Sequence, residues 1–275
     1  MCIIAEPVHP TNGWVLRPAI SQSIMDTTRY KIWQWLPPTG DGSNVQFNVA
    51  VLTKAKRSNT NPYEVANELL CLRLGLAMGL PIPLGMILER DHEVYYASLH
   101  VAVAGEKLPP ATEDDLDAIA ANESLACGIV MFDSWILNED RHVGNISYID
   151  ETRSTYLIDH GRAFLDRTGR SYLQSQQDNL AIGDHCLADR ITSLWAFDEW
   201  HKTMMGIPAT FIKQSVSLAA TIGLPESDVG FCTQYLLDRR ERLPWIFSEH
   251  HKTAFPNLNE GLLDPLAGIP VEYQI

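Results

Sequence analysis

The stretch from 132 to 164, FDSWILNEDRHVGNISYIDETRSTYLIDHGRAF, constrains this chain more than any other, because polar residues recur in it at fixed places between apolar runs. An apolar, helix-like run ends before Asn138, a loop of Asn, Asp, Arg and His follows, and two short apolar segments, ISYID and TYLID, flank a turn. That order predicts a buried helix, a loop and a β-hairpin. A hairpin folds the chain back on itself, so Asp159 returns beside the loop that holds Asp140 and Asn145. An Asp-x4-Asn spacing alone is weak, since both residues are common in loops, and its plain alternative is a polar turn with solvated acids. With the helix before it and the strand pair after it, the cluster has a sharper use. Two carboxylates and an amide oxygen suit a hard divalent cation, and an aspartate in such a loop can orient a hydroxyl. Phosphoryl transfer asks a protein for those parts and for positioning.

Upstream, WVLRPAI, YKIWQWL and VQFNVAVLTK read as strands, with PPTGDGSN as a hairpin loop between the last two. A helix is expected next. Asn61-Pro62 supplies a cap and a first-turn proline, Leu69, Leu72 and Leu76 repeat at helical spacing, and Gly79 and Pro81 stop it. ILERDHEVYYASLHVAV reads as two more strands around Asp91-His92. The run GEKLPPATEDD, 105–115, marks a boundary between an N-terminal unit, 1–104, and a C-terminal unit, 105–275. The second unit is expected to be mainly helical, with one long helix from about 115 to 137, the strand pair, and helices near 192–205, 209–222 and 227–248.

Charge narrows the partners. With 21 Lys and Arg against 34 Asp and Glu, the net charge is −13, which argues against a broad nucleic-acid or anionic-membrane surface, so neither partner is expected. The five cysteines are odd in number and contain no Cys-x-x-Cys pair, which speaks against a disulfide framework or zinc knuckle and for a reducing, cytoplasmic setting. MCIIAEP is too short an apolar run for a signal peptide, and the apolar stretch 74–88 is broken by Pro81 and Pro83. Asp184-His185-Cys186 and His250-His251 lack the spacing of a zinc site.

Phe132-Asp133-x-Trp135, Asn138-x-Asp140-Arg141-His142-x-x-Asn145 and Ile158-Asp159-His160-Gly161 with Phe164 together resemble the catalytic core of the HipA-like kinases, relatives of the phosphatidylinositol kinases. Asn67-Glu68-Leu69-Leu70 and Leu76-x-x-Gly79-Leu80-Pro81-Ile82-Pro83 resemble the helix and exit loop of that family's small lobe. The likeness runs from about 49 to 165. It implies an α+β, two-lobed protein-kinase-like fold, with a small antiparallel sheet and one helix in the first lobe and a larger helical second lobe. It implies ATP and magnesium as cofactors, Asp140 as the catalytic aspartate, Asn145 and Asp159 as magnesium ligands, and Lys54 as the lysine that meets the phosphates. Glu68 would hold Lys54 in place. On the residues alone Lys56 shares the strand face of Lys54, and Glu64 lies one turn before Glu68, so both pairings stay open. His142 either contacts the transferred phosphate or packs to fix the loop. Arg141 is read as structural, pairing with a carboxylate of the loop, and His160 is read in the same way.

The chain holds no Gly-x-Gly-x-x-Gly and no Walker-type loop, so phosphate gripping falls to other residues. Ser21 and Ser23, in the turn after WVLRPAI, are the candidates, with Arg17 a further one. Adenine is expected to meet backbone groups between Ser98 and Val103. The resemblance implies a Ser/Thr protein kinase that binds ATP and a protein acceptor. A small-molecule or lipid kinase and a nucleotide-binding pseudokinase that docks a partner are the other readings, and AMP transfer is the other chemistry.

Overall fold

The computed structural model describes residues 15–18, 31–36, 49–55, 61–90, 93–99 and 108–259. Five antiparallel strands form one sheet: β1 (Val15–Pro18), β2 (Lys31–Leu36), β3 (Val49–Ala55), β4 (Gly85–Arg90) and β5 (Glu93–Leu99), in the order β1-β2-β3-β5-β4. β3 is the middle strand and sets Lys54 opposite Tyr96 of β5. The expected turn PPTGDGSN, Asp91-His92, Ser21, Ser23 and Lys56 lie outside the described residues.

Seven α-helices are described: α1 (Glu64–Met78), α2 (Glu113–Ala120), α3 (Glu123–Trp135), α4 (Arg170–Ser175), α5 (Trp195–Met205), α6 (Ala209–Ala220) and α7 (Val229–Ala254). A second, two-stranded sheet pairs β6 (Ile146–Ile149) with β7 (Ser154–Leu157), Ile146 facing Leu157.

α1 sits where the sheet meets the helices, packing against β4 and β5 and also against α6. That is why its buried residues, from Val65 to Met78, do not keep to one stripe. Gly79, left-handed at φ 80°, ends it, and the Leu80 N–H returns to the Gly75 carbonyl at 2.9 Å. The helix begins after Tyr63, a little later than expected, and Asn61 still serves its start, its side-chain oxygen accepting the Tyr63 N–H at 3.0 Å, while its amide nitrogen donates to the Gly161 and Leu165 carbonyls at 3.2 and 2.7 Å.

The single helix expected from about 115 to 137 is two helices. Asn122 interrupts it, its side-chain oxygen accepting the Leu125 N–H at 3.2 Å and so starting α3 anew. The acids Glu113 to Asp115, expected in a linker, form the first turn of α2 behind a capping box made by Thr112 and Asp115. α4 was not foreseen, and α7 runs to Ala254 through Pro244. A proline cannot donate to the carbonyl four residues back, here that of Arg240. His201 of α5 donates to that oxygen at 2.8 Å instead, which lets the helix continue.

α3, α5 and α7 pack together around Trp135, Phe197, Phe247 and Phe255, all buried. The Trp135 indole donates to the Leu236 carbonyl at 2.9 Å, tying α3 to α7. Gly128 lets α5 approach closely, since a Cβ there would lie 2.3 Å from the Trp200 ring.

Candidate active site

The loop 138–145 follows α3 directly. Leu137 takes a left-handed turn at φ 53°, out of the helix, and Asn138 then folds back, its N–H on the Asp133 carbonyl and its amide nitrogen on Asp133 Oδ1, both at 2.8 Å. The loop closes on itself two residues later. The His142 N–H donates to the Asp140 carbonyl at 2.9 Å, and a single 3₁₀ turn, Val143–Asn145, leads into β6. Asn145 turns its amide nitrogen onto the Asp140 carbonyl at 2.7 Å and onto Asp140 Oδ2 at 3.4 Å. Its amide oxygen is not used in that contact.

The hairpin returns as expected. The Ile158 N–H donates to the Asn145 carbonyl at 3.1 Å, and Leu157 donates to the Pro81 carbonyl at 3.0 Å, fastening the hairpin to the exit of α1. Asp159 follows in a left-handed conformation, φ 57°. Backbone in that region costs on the order of 1–3 kcal/mol for a residue other than glycine and persists only where the surroundings hold it. Gly161 then passes close under α1, where a Cβ would meet the Glu64 side chain at 2.5 Å. Asn67, like Asn61, donates to the Gly161 and Leu165 carbonyls, at 3.0 and 2.8 Å.

Asp140, His142, Asn145 and Asp159 all line one cleft of about 920 Å³. Lys54 reaches Asp159 Oδ1 at 2.6 Å and pairs with Glu68, while Glu64 stands off at 4.0 Å. The helix face therefore turns Glu68, rather than Glu64, toward the lysine. A smaller cavity on the sheet side is bounded by Lys54, Glu68, Tyr96, Ser98 and Asp159, so Asp159 lines both spaces while Lys54 faces the smaller one. Burial pushes the Glu68 carboxyl up from its ordinary value, against the pull of Lys54. His142 is exposed, not packed, but it does fix the loop, its Nδ1 accepting the Gly144 N–H at 2.9 Å. Arg162 reaches Asp140 Oδ1 at 3.4 Å from the cleft's open side.

Arg141 departs from expectation. Its carboxylate partner is not in the loop but is Asp133 of α3, at 2.8 Å, and both groups are fully buried. Burial alone would raise the Asp133 carboxyl, but the charge of Arg141 and a hydrogen bond from His185 hold it well below the usual carboxylate range. Burial and the neighbouring guanidinium push His160 down to about 3, so its ring is neutral near pH 7. The signal for Asp133 in the sequence is the one charged residue inside the mostly apolar run IVMFDSWIL.

Among the described residues no three His, Cys, Asp or Glu side chains converge as a metal site. An amide oxygen and a carboxylate nonetheless fit magnesium, which keeps several waters and takes one or two protein oxygens beside substrate phosphates. No helix among the described residues is long and apolar enough to cross a membrane.

The family model described as HipA-like kinase matches residues 52–215, more than half of the chain. Comparison with curated proteins returns no match. Among solved structures, the Helicobacter pylori proinflammatory kinase CtkA superimposes with a TM-score of 0.54 at 13% identity, over 84% of this chain and 93% of that one. That likeness shows a kinase-like fold. HipA of Shewanella oneidensis, from a toxin–antitoxin complex with HipB and operator DNA, aligns at a TM-score of 0.41 and 14% identity, over 84% of this chain and 69% of that one.

Proposed function

This chain belongs to the HipA-like kinase family, and we propose that it is an ATP- and magnesium-dependent phosphotransferase that moves the γ-phosphoryl group to a Ser or Thr hydroxyl of a protein. The observation that supports this most is the convergence of Asp140, Asn145 and Asp159 on one cleft, with Lys54 bridging Glu68 and Asp159 from the adjoining smaller cavity. Residues 1–104 and 105–275 act as the two lobes, with the nucleotide between them. Ser21 and Ser23 remain the proposed phosphate contacts of the first lobe, and backbone groups between Ser98 and Val103 the adenine contacts.

Magnesium, when bound, would neutralise phosphate charge that otherwise repels the incoming hydroxyl. Asn145 and Asp159 are the residues that would hold it. Asp140 accepts the proton of the acceptor hydroxyl, and its carboxylate is kept in place by the Asn145 amide and by Arg162. The Lys54 ammonium stands 2.6 Å from Asp159 and pairs with Glu68 as well, which fixes it where it can meet the nucleotide phosphates. His142, exposed on the same cleft, is placed to meet the group being transferred.

The test is transfer from ATP labelled at the γ or the α position, with and without magnesium. Label passing from the γ position to protein, only with magnesium, is the expected result. Label passing from the α position would mean AMP transfer, and no ATP binding at all would overturn the enzyme reading.

A further inference from the structure

We propose that Arg141 is a positioning residue whose buried guanidinium sets the separation of Asn145 and Asp159, and with it the fit of the magnesium ion. The inference rests on the phosphotransferase reading above. A guanidinium carries five N–H donors in a rigid fork, and here each has a partner. Nε and Nη2 meet the two oxygens of Asp133 at 2.8 and 3.0 Å. The second hydrogen of Nη2 faces His160 Nε2 at 2.8 Å. Nη1 donates to two carbonyls, that of Asn145 and, at 2.9 Å, that of Ile158.

Those two carbonyls decide the argument. One belongs to Asn145 itself and the other to the residue before Asp159, so a single planar group bridges the backbone beneath both proposed ligands. Arg141 is 1% exposed and lines neither cavity, so it acts through its neighbours and not on the nucleotide.

The fork is braced from behind. Asp133 also accepts from the Asn138 amide at 2.8 Å and from His185 Nε2 at 3.1 Å. His185 Nδ1 accepts the Leu187 N–H at 3.1 Å, which places the ring proton on Nε2, toward Asp133. The next residue, Cys186, donates its N–H to the Arg141 carbonyl at 2.9 Å. The segment 185–187, far downstream of the loop, therefore clamps both ends of the ion pair. Magnesium needs near-ideal octahedral geometry, so ligands whose spacing drifts lose it readily. Lysine would keep the charge of Arg141 but not the fork.

The test uses the full chain carrying R141K, with D133N as a second variant that keeps the shape of the acid and removes one acceptor of the fork. Binding of a non-hydrolysable ATP analogue is titrated with and without magnesium, beside the magnesium requirement for transfer. Outer-shell partners of metal ligands alter metal affinity by about 10–100-fold. The expected result is a magnesium requirement raised about tenfold in R141K and less in D133N, with analogue binding in the absence of magnesium little changed. Equal losses with and without magnesium, an unchanged magnesium requirement, or failure of both variants to fold would make Arg141 scaffold alone and overturn the proposal. An unmodified protein that binds no ATP would instead sink the function reading on which this one rests.

Discussion

Around the 138–145 loop and Asp159 the buried side chains are charged, Asp133, Arg141, Glu68 and Lys54, whereas between α3, α5 and α7 they are Trp135, Phe197, Leu236, Phe247 and Phe255. The first region is held by directional bonds with named partners, so removing one group leaves another buried and unpaired, at about 3–5 kcal/mol for a broken buried pair. The second is held by non-directional burial, at roughly 25 cal/mol per Å² of apolar surface, and similar shapes can substitute. Geometry is therefore concentrated in the first region and cohesion in the second. A change in the charged region should show in catalysis and melting together, and one in the apolar region should show in melting alone.

The largest expected effect breaks the comparison open at the cleft. Asp140→Ala and Asp159→Ala should each cut transfer by about 10³-fold while leaving the melting transition in place, read by γ-label transfer and calorimetry. Near-normal turnover in either would remove that residue from its role. Next, Leu236→Ala in α7 should destabilise the fold by about 2–5 kcal/mol, measured by urea unfolding, yet leave the magnesium requirement unchanged. A shift in that requirement would show that the two regions are not separate.

His160 is held neutral by burial and by Arg141, with its ionisation pushed from 6.5 down to about 3. The unfolded chain therefore takes up a proton that the folded chain refuses, and the stability this contributes is full above pH 6.5 and is lost as pH falls toward about 3. Between pH 7 and 5 the loss is about 2 kcal/mol, and His160→Gln should flatten that slope. Glu68, raised in the fold, works in the opposite sense, its contribution present below 4.5 and lost as pH rises, so the difference between variant and parent is the quantity to measure. An unaltered slope would mean that His160 already titrates freely. The smallest effect is expected from Glu68→Gln, about a tenfold loss in kcat/KM for ATP, because Lys54 keeps its contact with Asp159.

The convergence of Asp140, Asn145 and Asp159 on one cleft was legible because the proposed chemistry demands particular residue types at particular places. Asp140, Asn145 and Asp159 stand out in a loop and after a strand, and the apolar alternation of ISYID and TYLID announces the hairpin that joins them. Lys54 was narrowed to a strand face, and only the rotation of α1 separated Glu68 from Glu64. His185 gave no signal of its place, since its contact with Asp133 spans 52 residues and exists only through tertiary packing. The break between α2 and α3 escaped for a local reason. Ala121-Asn122 does not interrupt helical periodicity, and the stop lies in a cap made by one side chain. Pro244 posed the reverse problem, a helix breaker made harmless by His201 from another helix.

The most direct measurement of the central claim is a crystal structure with a non-hydrolysable ATP analogue and magnesium. The account predicts one ion with the Asn145 amide oxygen and an Asp159 carboxylate oxygen each about 2.0–2.1 Å away, and the analogue's phosphates completing its shell. An ion seated elsewhere, or phosphates bound with both side chains turned away from the metal, would contradict it.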